Sequence, residues 1–302
     1  MLINRRLPLM YIFKQIQPDV MISMIFAGVL ISLEHSVPHN VLEPFQIPVA
    51  ISAFLGTAIS LVLSFMLAQS YDRWWEARKV WGAVVNDSRS LVVQLTAFAG
   101  RNPENDECIR RITLRQIGWC FALTNSLRGL GTSPELSRLL SADDLAAVES
   151  HANQPLKLVD LNSKDISELH ASNQLNDYQQ VQVDSTLVRL VTSMGQAERI
   201  KNTVFPKTYL LFLRIFIYVF IFSLAVSLAD LEAIFEMLLL VLIGMPFFML
   251  KRTALYMQDP FENRPTDTAM LTISKNIEVN LRQLIDDQDV PKIDPPETFF
   301  VM

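Results

Sequence analysis

Three side chains on one uncharged stretch are suited to act on ions by dehydration rather than by covalent chemistry. Thr57, Leu61 and Phe65 follow one another at intervals of four residues, so they share one side of a helix. A neighbouring stripe with the same spacing consists of small residues: Gly56, Ser60, Ser64 and Ala68. Small residues let membrane helices approach closely, whereas a narrow apolar passage can stop ions by excluding water. Both helix packing and a hydrophobic constriction on a central axis are therefore consistent with the pattern.

A run that is dense in aromatic rings and charges follows this stretch directly. It reads Tyr71-Asp72-Arg73-Trp74-Trp75-Glu76-Ala77-Arg78-Lys79-Val80-Trp81-Gly82. Aromatic side chains of this kind collect at membrane interfaces, and charges of opposite sign at this spacing can pair along a helix. The run indicates that a helix leaves the membrane here.

The element that carries the stripe must cross a membrane, and three further elements have a similar composition. No charged residue occurs between Glu43 and Asp72, and a spanning helix needs about 20 apolar residues. Val20–Leu33, Ile215–Ala229 and Met237–Leu250 are also uncharged, and their aromatic and basic flanks can extend them. The chain is 50% hydrophobic and only 19% charged, which agrees with a membrane protein. The sequence predicts four transmembrane helices, the second covering residues 44–71.

Lysine and arginine residues are concentrated on one side of these four spans. They flank the spans at Arg5, Arg6, Lys14, Arg73, Arg78, Lys79, Arg199, Lys201, Lys207, Lys251 and Arg252. The connections Glu34–Glu43 and Asp230–Glu236 contain neither residue type. Because positive charge marks the cytoplasmic side, both termini and the long region between spans two and three are predicted to be cytoplasmic.

Several other classes of function are disfavoured. The net charge is -5 and the basic residues do not form one run, so no nucleic-acid partner is expected. The nucleophile elbow, the phosphate-binding loop, the dinucleotide fingerprint and the zinc-protease motif are all absent from the sequence, which argues against an enzyme. His35 and His39 are separated by Pro38 and have only Glu34 nearby, so we expect neither a metal site nor a cofactor.

Three segments resemble the motifs of the bestrophins, the prokaryotic branch more than the animal one. The first is the run from Tyr71 to Gly82. The second is Gly195-Gln196-Ala197-Glu198-Arg199-Ile200-Lys201-Asn202-Thr203-Val204-Phe205-Pro206, and the third is Gln258-Asp259-Pro260-Phe261. The residues that carry the resemblance are Tyr71, Asp72, Arg73, Trp74, Glu76, Arg78, Glu198, Arg199, Pro206, Asp259, Pro260 and Phe261.

The resemblance implies an all-α homopentamer around one axial pore in the inner (plasma) membrane of a bacterium. Its expected parts are spans one and two in residues 1–72, a cytoplasmic helical domain in 73–208, spans three and four in 209–252, and a cytoplasmic tail in 253–302. Thr57, Leu61 and Phe65 fall on the neck of the pore. A second constriction, the cytoplasmic aperture, falls near Tyr178, with Leu175 beside it. The expected partners are further copies of the chain, small monovalent ions and the lipid bilayer.

The ion that the pore prefers is open between two alternatives. Chloride is slightly favoured on family grounds alone. However, this chain has Phe65-Met66-Leu67-Ala68 where many prokaryotic members have Phe-Arg-x-Asn, so a basic residue is missing at the neck exit. Four acids are predicted to line the cytoplasmic vestibule, and rings of acids concentrate cations. They are Asp165, Glu168, Asp177 and Asp184.

Calcium dependence and a different class of function are the other open points. In animal bestrophins an acidic cluster after the third motif binds calcium, whereas this chain has Glu262-Asn263-Arg264-Pro265-Thr266-Asp267, with few carboxylates for a calcium site. We therefore expect calcium to matter little. The alternative from another class is a membrane-anchored signalling or scaffold protein whose cytoplasmic helices bind a partner. Single-channel currents from protein in liposomes distinguish the two.

Overall fold

The computed structural model of the chain describes residues 9–36, 47–100, 102–203, 206–293 and 300. Within them the chain forms ten α-helices: α1 (Leu9–Ser36), α2 (Val49–Phe98), α3 (Pro103–Leu127), α4 (Leu136–Leu139), α5 (Ala142–Glu149), α6 (Gln154–Ala171), α7 (Asp177–Asn202), α8 (Lys207–Leu228), α9 (Ala233–Gln258) and α10 (Met270–Leu284). The chain divides into two compact units. We call Arg5–Arg73 with Val204–Gln258 the apolar unit, and Met1–Asn4 with Trp74–Thr203 and Asp259–Met302 the polar unit.

α2 is a single helix of 50 residues that contains both the predicted second span and the charged run after it. No proline occurs between Val49 and Phe98, so no backbone hydrogen bond of the helix interior is lost. The helix begins after Pro48, whose carbonyl oxygen accepts a hydrogen bond from the Ile51 N–H at 2.9 Å. The predicted start at residue 44 was therefore too early, because a proline disfavours helical backbone at the residue before it. Residues 44–46 lie outside the described part.

Three of the four predicted spans are long apolar helices in the structure. α2, α8 and α9 are each long and apolar enough to cross a membrane, whereas α1 contains a shorter apolar segment, Gln17–Leu33. Of the two connections predicted to face outward, the first lies largely in residues 37–46, which are outside the described part. Length and composition therefore agree with the predicted spans, and the crossing itself stays a prediction.

The packing of α2 on α8 fixes the rotation of α2 in the apolar unit. The Ser52 hydroxyl oxygen lies 2.7 Å from that of Ser223 and 2.9 Å from that of Ser227, and Ser52 is fully buried. One turn further along, Gly56 lies against the ring of Phe220, and a Cβ at position 56 would meet that ring at 3.1 Å. Close approach and buried hydroxyl pairs are what holds helices together in hydrocarbon.

The polar unit has a hydrophobic core of its own. Trp81 of α2 and both Trp119 and Phe121 of α3 are almost completely buried in it. Four of its helices, α3, α5, α6 and α7, are capped at the N-terminus by a side chain, which satisfies backbone N–H groups that would otherwise lack a partner. Asn102 accepts a hydrogen bond from the Asn105 N–H, and Asn176 forms a reciprocal capping box at the start of α7.

A buried ion-pair network ties α3 to α5 and α6. The guanidinium of Arg115 donates to both carboxylate oxygens of Asp144, at 2.7 and 2.9 Å, and to Asp165 at 2.7 Å. Arg111 also donates to Asp165 at 2.7 Å. All three members of the Arg115 cluster are buried. Buried carboxylates need a cation nearby. Arg115 therefore holds α5 and α6 against α3.

Replacing Arg115 with Met should destabilise the protein strongly. The variant keeps much of the side-chain volume but leaves Asp144 buried without its cation, a change that costs roughly 3–5 kcal/mol in other buried pairs. The measurement is heat unfolding of the detergent-solubilised protein, followed by tryptophan fluorescence. The matched control is Arg110→Met, because Arg110 is exposed and its contact with Asp287 is 3.9 Å long. Equal unfolding midpoints for the two variants would contradict the role given to Arg115.

Candidate pore-lining surface

The three predicted neck residues lie on the exposed side of α2. Thr57 is exposed, and Leu61 and Phe65 are 60% and 61% exposed. Phe54, one turn before Thr57, is exposed as well. An apolar side chain left this open in one copy of the chain must meet lipid, another copy or a pathway. The structure thus brings the three residues onto one open surface of the helix.

The opposite side of α2 is buried, and this determines which residues are presented. Ser52, Ile59, Leu63 and Met66 are each at most 4% exposed. Since successive residues of an α-helix are rotated by about 100°, these four point away from Leu61. Leu61 and Leu63 are therefore a natural pair for comparison: both are leucines in the same turn, one open and one packed.

The exposed side of α2 differs chemically from the exposed sides of the other two long apolar helices. On α8 between residues 215 and 222 and on α9 between 234 and 250, every exposed side chain is apolar. They are Ile215, Phe216, Val219, Phe222, Ile234, Phe235, Leu238, Leu242, Ile243, Pro246 and Leu250. The exposed side of α2 instead includes hydroxyl and small side chains: Ala50, Ala53, Thr57, Ala58, Ser60, Ser64 and Ala68. The faces of α8 and α9 suit lipid, and that of α2 suits close helix contacts or a pathway.

Two of the hydroxyl groups on the exposed side of α2, those of Thr57 and Ser60, donate to the backbone of their own helix. Thr57 donates to the Ala53 carbonyl oxygen at 2.9 Å, and Ser60 donates to that of Gly56 at 2.8 Å. The predicted small-residue stripe is divided by the structure, since Gly56 packs on Phe220 while Ser60, Ser64 and Ala68 are exposed. Of these four residues, Gly56 is the one that allows close packing between helices of the same chain.

Parts of the three sequence motifs meet in the polar unit. The indole N–H of Trp74 donates to the Thr266 carbonyl oxygen at 2.9 Å. The Lys201 ammonium donates to Asp259 at 3.1 Å and to Glu262 at 2.5 Å. A residue from each motif thus holds the segment that follows α9, although long stretches of chain separate the three. In the apolar unit, Arg73 Nε donates to the carbonyl oxygen of Gln258 at 3.0 Å.

The extent and order of these motifs agree with a comparison against known families. The sequence profile of the family described as Bacterial/Fungal Bestrophin protein matches residues 9–283. The chain belongs to this family.

Relatives and solved structures agree with the assignment to the bestrophins. A voltage-dependent anion channel-forming protein of Nostoc sp. is 27% identical over 259 residues, covering 85% of this chain and 83% of the relative. One of the same description from Escherichia coli K12 is 26% identical over 250 residues, covering 83% and 79%. The structure of a bacterial bestrophin homologue from Klebsiella pneumoniae superposes with a TM-score of 0.81 at 24% identity, covering 89% of this chain and 98% of that chain. That superposition shows the shared fold.

The segment after α9, which carries the third bestrophin motif, has its own internal cation. In the part of the chain that the structure describes, no group of three or more His, Cys, Asp or Glu side chains is arranged to hold a metal ion. Lys201 instead lies between Asp259 and Glu262, and its hydrogen bond lowers the pKa of the Glu262 carboxyl. Phe261 of the same segment is completely buried in the core of the polar unit. Lys201 is thus the positive charge to which these two carboxylates bind.

The predicted aperture residues are placed differently from each other. Tyr178 is 89% exposed at the start of α7, whereas Leu175 is only 2% exposed, and its carbonyl oxygen accepts a hydrogen bond from His170 Nδ1 at 3.0 Å. The assignment of Leu175 to an open aperture is corrected by this burial. The side chain of Leu175 packs in the core, and Tyr178 alone is free to line a passage.

The predicted vestibule acids also divide into two kinds. Asp165 is buried and neutralised by Arg111 and Arg115, so its assignment to a solvent-facing ring is corrected. Glu168 and Asp177 are exposed, with Asp177 lying 3.5 Å from His170 Nε2. Asp184 is partly buried, and this burial raises the pKa of its carboxyl.

Several of the remaining motif residues form contacts within the protein, whereas Tyr71, Asp72 and Arg199 are exposed. Glu198 accepts a hydrogen bond from the Asn153 amide at 3.3 Å, and Pro206 is the residue immediately before α8. Glu76 pairs with Lys79 at 2.5 Å, and the Pro260 carbonyl oxygen accepts from the Thr268 N–H. Arg78 is partly exposed.

Ser52, Lys201 and Asp267 form structural contacts that the sequence did not single out. Ser52 lies within an uncharged span, where a single hydroxyl side chain is common. Its position four residues before Gly56 could have placed it in the small-residue stripe. Lys201 lay inside the second motif, but its partners are far away in sequence. Asp267 is 1% exposed and accepts a hydrogen bond from the Arg264 N–H at 2.9 Å.

The burial of Asp267 predicts a pH dependence of stability. Burial raises the pKa of its carboxyl from 3.8 to about 6, so the folded protein binds this proton more tightly than the unfolded chain does. The stabilising effect of that proton is complete below about pH 4 and is lost as the pH rises through about 6. Relative to Asp267→Asn, the wild type should lose roughly 2 kcal/mol between pH 4 and pH 7.

The measurement is the difference in unfolding midpoint between wild type and variant at several pH values. Glu149→Gln serves as the control because Glu149 is exposed on α5, and its difference from the wild type should stay constant with pH. A constant difference for Asp267→Asn as well would show that folding does not raise the pKa of the Asp267 carboxyl.

Proposed function

We propose that the chain forms a bestrophin-like channel that passes small monovalent ions passively across a membrane. The observation that carries this proposal is the chemistry of the exposed side of α2. Hydroxyl and small side chains are not expected in a row on a surface that faces lipid. α8 and α9 expose only apolar side chains over the central parts of their faces. A pathway or a contact with other copies does account for that row.

Several copies of the chain must assemble for this surface to enclose a pathway. Each chain supplies a single helix with these exposed side chains, and one helix cannot surround a pore. Cyclic symmetry repeats the same helix around an axis, so each side chain becomes a ring. The number five comes from the resemblance to the bestrophins, and the exposed apolar side chains of α2 support assembly.

The neck of the proposed pore works by the cost of dehydration. Rings of Leu61 and Phe65 side chains give an ion no oxygen atoms to replace the water molecules that it loses, and a narrow apolar passage excludes water. The Thr57 hydroxyl already donates to its own backbone, so its oxygen faces the pathway as a weak acceptor. Conductance is therefore expected to depend on the width that Leu61 and Phe65 leave open.

A second constriction is proposed at Tyr178, in the cytoplasmic part of the pathway. Its side chain is almost fully exposed, as a residue on an open passage must be. Glu168, Asp177 and Asp184 remain as candidate vestibule acids, whereas Asp165 is already neutralised by two arginines. The exposed acids support an accumulation of cations in the vestibule.

The proposed placement in the membrane follows the distribution of positive charge. Residues 1–72 and 209–252 supply four spans in the bacterial inner membrane, and residues 73–208 and 253–302 are cytoplasmic together with both termini. The positive-inside rule supports this direction, because the connections Glu34–Glu43 and Asp230–Glu236 contain no lysine or arginine.

Cysteine labelling in intact cells tests this topology. In a background with Cys108→Ser, cysteines at Ser36 and Asp230 should react with an impermeant thiol reagent added outside, because both positions are exposed and belong to connections that are proposed to face outward. A cysteine at Asp143, which is exposed on α5, should react only after the cells are permeabilised. Labelling at Asp143 in intact cells would overturn the proposed direction of all four spans.

Two ions are candidates for the proposed pore. The names of the relatives from Nostoc sp. and Escherichia coli support an anion, and chloride is the expectation on those grounds. The exposed acids and the absence of a basic residue at the neck exit support a monovalent cation instead. The neck mechanism is the same for both, because it acts on hydration and not on the sign of the charge.

Widening the neck should raise the conductance severalfold. A protein with Leu61→Ala and Phe65→Ala loses the apolar rings, and water can then fill the passage. The measurement is single-channel conductance after reconstitution into planar bilayers. The matched control is Leu63→Ala, because Leu63 is 1% exposed and packs inside the chain. Its loss should cost roughly 2–5 kcal/mol of stability without widening the pathway. A double variant that assembles and conducts like the wild type would contradict the assignment of Leu61 and Phe65 to the neck.

A further inference from the structure

Asp72 lies on the same side of α2 as the proposed neck. It follows Leu61 by eleven residues and Phe65 by seven, so at about 100° per residue it lies within about 20° of each around the helix axis. The seven-residue interval places it about 10 Å beyond Phe65 along the axis. Asp72 is also exposed, like both neck residues.

Asp72 is the first charge that this side of α2 presents. No charged residue occurs between Glu43 and Asp72, so every ring formed by the neck side chains is uncharged. An ion at the neck would therefore meet its first fixed charge at Asp72. The charge is repeated once for each copy of the chain in the assembly.

The charges beside Asp72 do not neutralise it. Arg73 is rotated away by about 100°, and its Nε donates to the Gln258 carbonyl oxygen. Lys79, two turns further along the same side, pairs with Glu76 at 2.5 Å. In the described part of the chain Asp72 forms no ion pair. Among the described residues, its carboxylate is therefore exposed without a cation partner.

We propose that Asp72 is the specificity-determining residue of the pore and that its carboxylates favour monovalent cations over chloride at the inner end of the neck. This inference rests on the proposed function, since it requires that the exposed side of α2 line a pathway. A ring of like charges at the mouth of a narrow passage raises the local concentration of ions of opposite sign and lowers that of the same sign. The effect weakens as salt shortens the screening length, which is about 10 Å at 0.1 M.

The test is the reversal potential of the reconstituted protein in a potassium chloride gradient. Asp72→Asn should shift it toward the chloride equilibrium potential, with the permeability ratio of potassium to chloride falling roughly tenfold at low salt. Asp72→Glu keeps the charge and should retain the wild-type ratio. Asp143→Asn is the matched control, because it removes an exposed carboxylate from α5 and should leave the ratio unchanged.

Chemical modification of a cysteine after assembly tests the same charge even if Asp72→Asn does not fold. In a background with Cys108→Ser, Asp72→Cys should be modified in the assembled channel with a negatively or a positively charged thiol reagent. The negative adduct should restore the cation preference, and the positive adduct should favour chloride further. If Asp72→Asn, or the channel with either adduct, conducts with the wild-type permeability ratio, the role of Asp72 is contradicted. The proposed pore would still be supported by such a result. A wild type that assembles but carries no current overturns both the pore and this inference.

Discussion

The rotation of α2 about its own axis is the constraint on which the proposed pore depends. Within the apolar unit the helix runs unbroken from Val49 to Arg73, so contacts that fix one turn also fix the directions of the other side chains of this part. Ser52 and Gly56 supply these contacts in the apolar unit, through the hydroxyls of Ser223 and Ser227 and the ring of Phe220. A rotation of two residue positions, about 200°, would place Leu61 where Leu63 packs and would expose packing side chains. The hydroxyl contacts of Ser52 and the lack of a Cβ at Gly56 therefore keep Leu61 and Phe65 on the exposed side of α2.

Which residues share one side of α2 could be predicted from the sequence, because helical spacing is a local property, whereas spacing alone left open which side is exposed. Thr57, Leu61 and Phe65 were grouped by interval alone, and an intact helix without proline keeps that grouping. The long apolar helices were predictable for the same reason, since composition and length are local too. The start of α2 was misplaced because Pro44 and Pro48 are both compatible with an apolar span, and only the second directly precedes the helix.

The errors concern residues whose surroundings come from distant parts of the chain. Asp165 has the sequence pattern of a solvent-facing acid on α6, but Arg111 and Arg115 of α3 meet it in the folded protein. Leu175 stands in a polar segment beside Tyr178, yet it fills the core of the polar unit. No interval within α6 or α7 contains this information, because it depends on which faces of α3 and α6 pack together. The same holds for Lys201, whose carboxylate partners follow α9.

The motif segments that identify the family hold the fold, while the proposed ion pathway uses side chains with simple chemistry. Trp74 and Lys201 bind the segment after α9 through a backbone carbonyl and two carboxylates, and neither bond requires an ion in transit. The proposed pathway needs only apolar rings and a charge at their end. Asp72 is the exception, because it lies within the first motif and is also proposed to set the ion preference.

The central claim is that the open side of α2 lines the ion pathway, and modification of cysteines during current recording tests it most directly. In a background with Cys108→Ser, single cysteines would replace each residue from Thr57 to Ala68, and a charged thiol reagent would be added while current flows. Current should change at positions 57, 61, 65 and 68 and should be unaffected at 59, 63 and 66. A change of current at the second set, with none at the first, would contradict this claim.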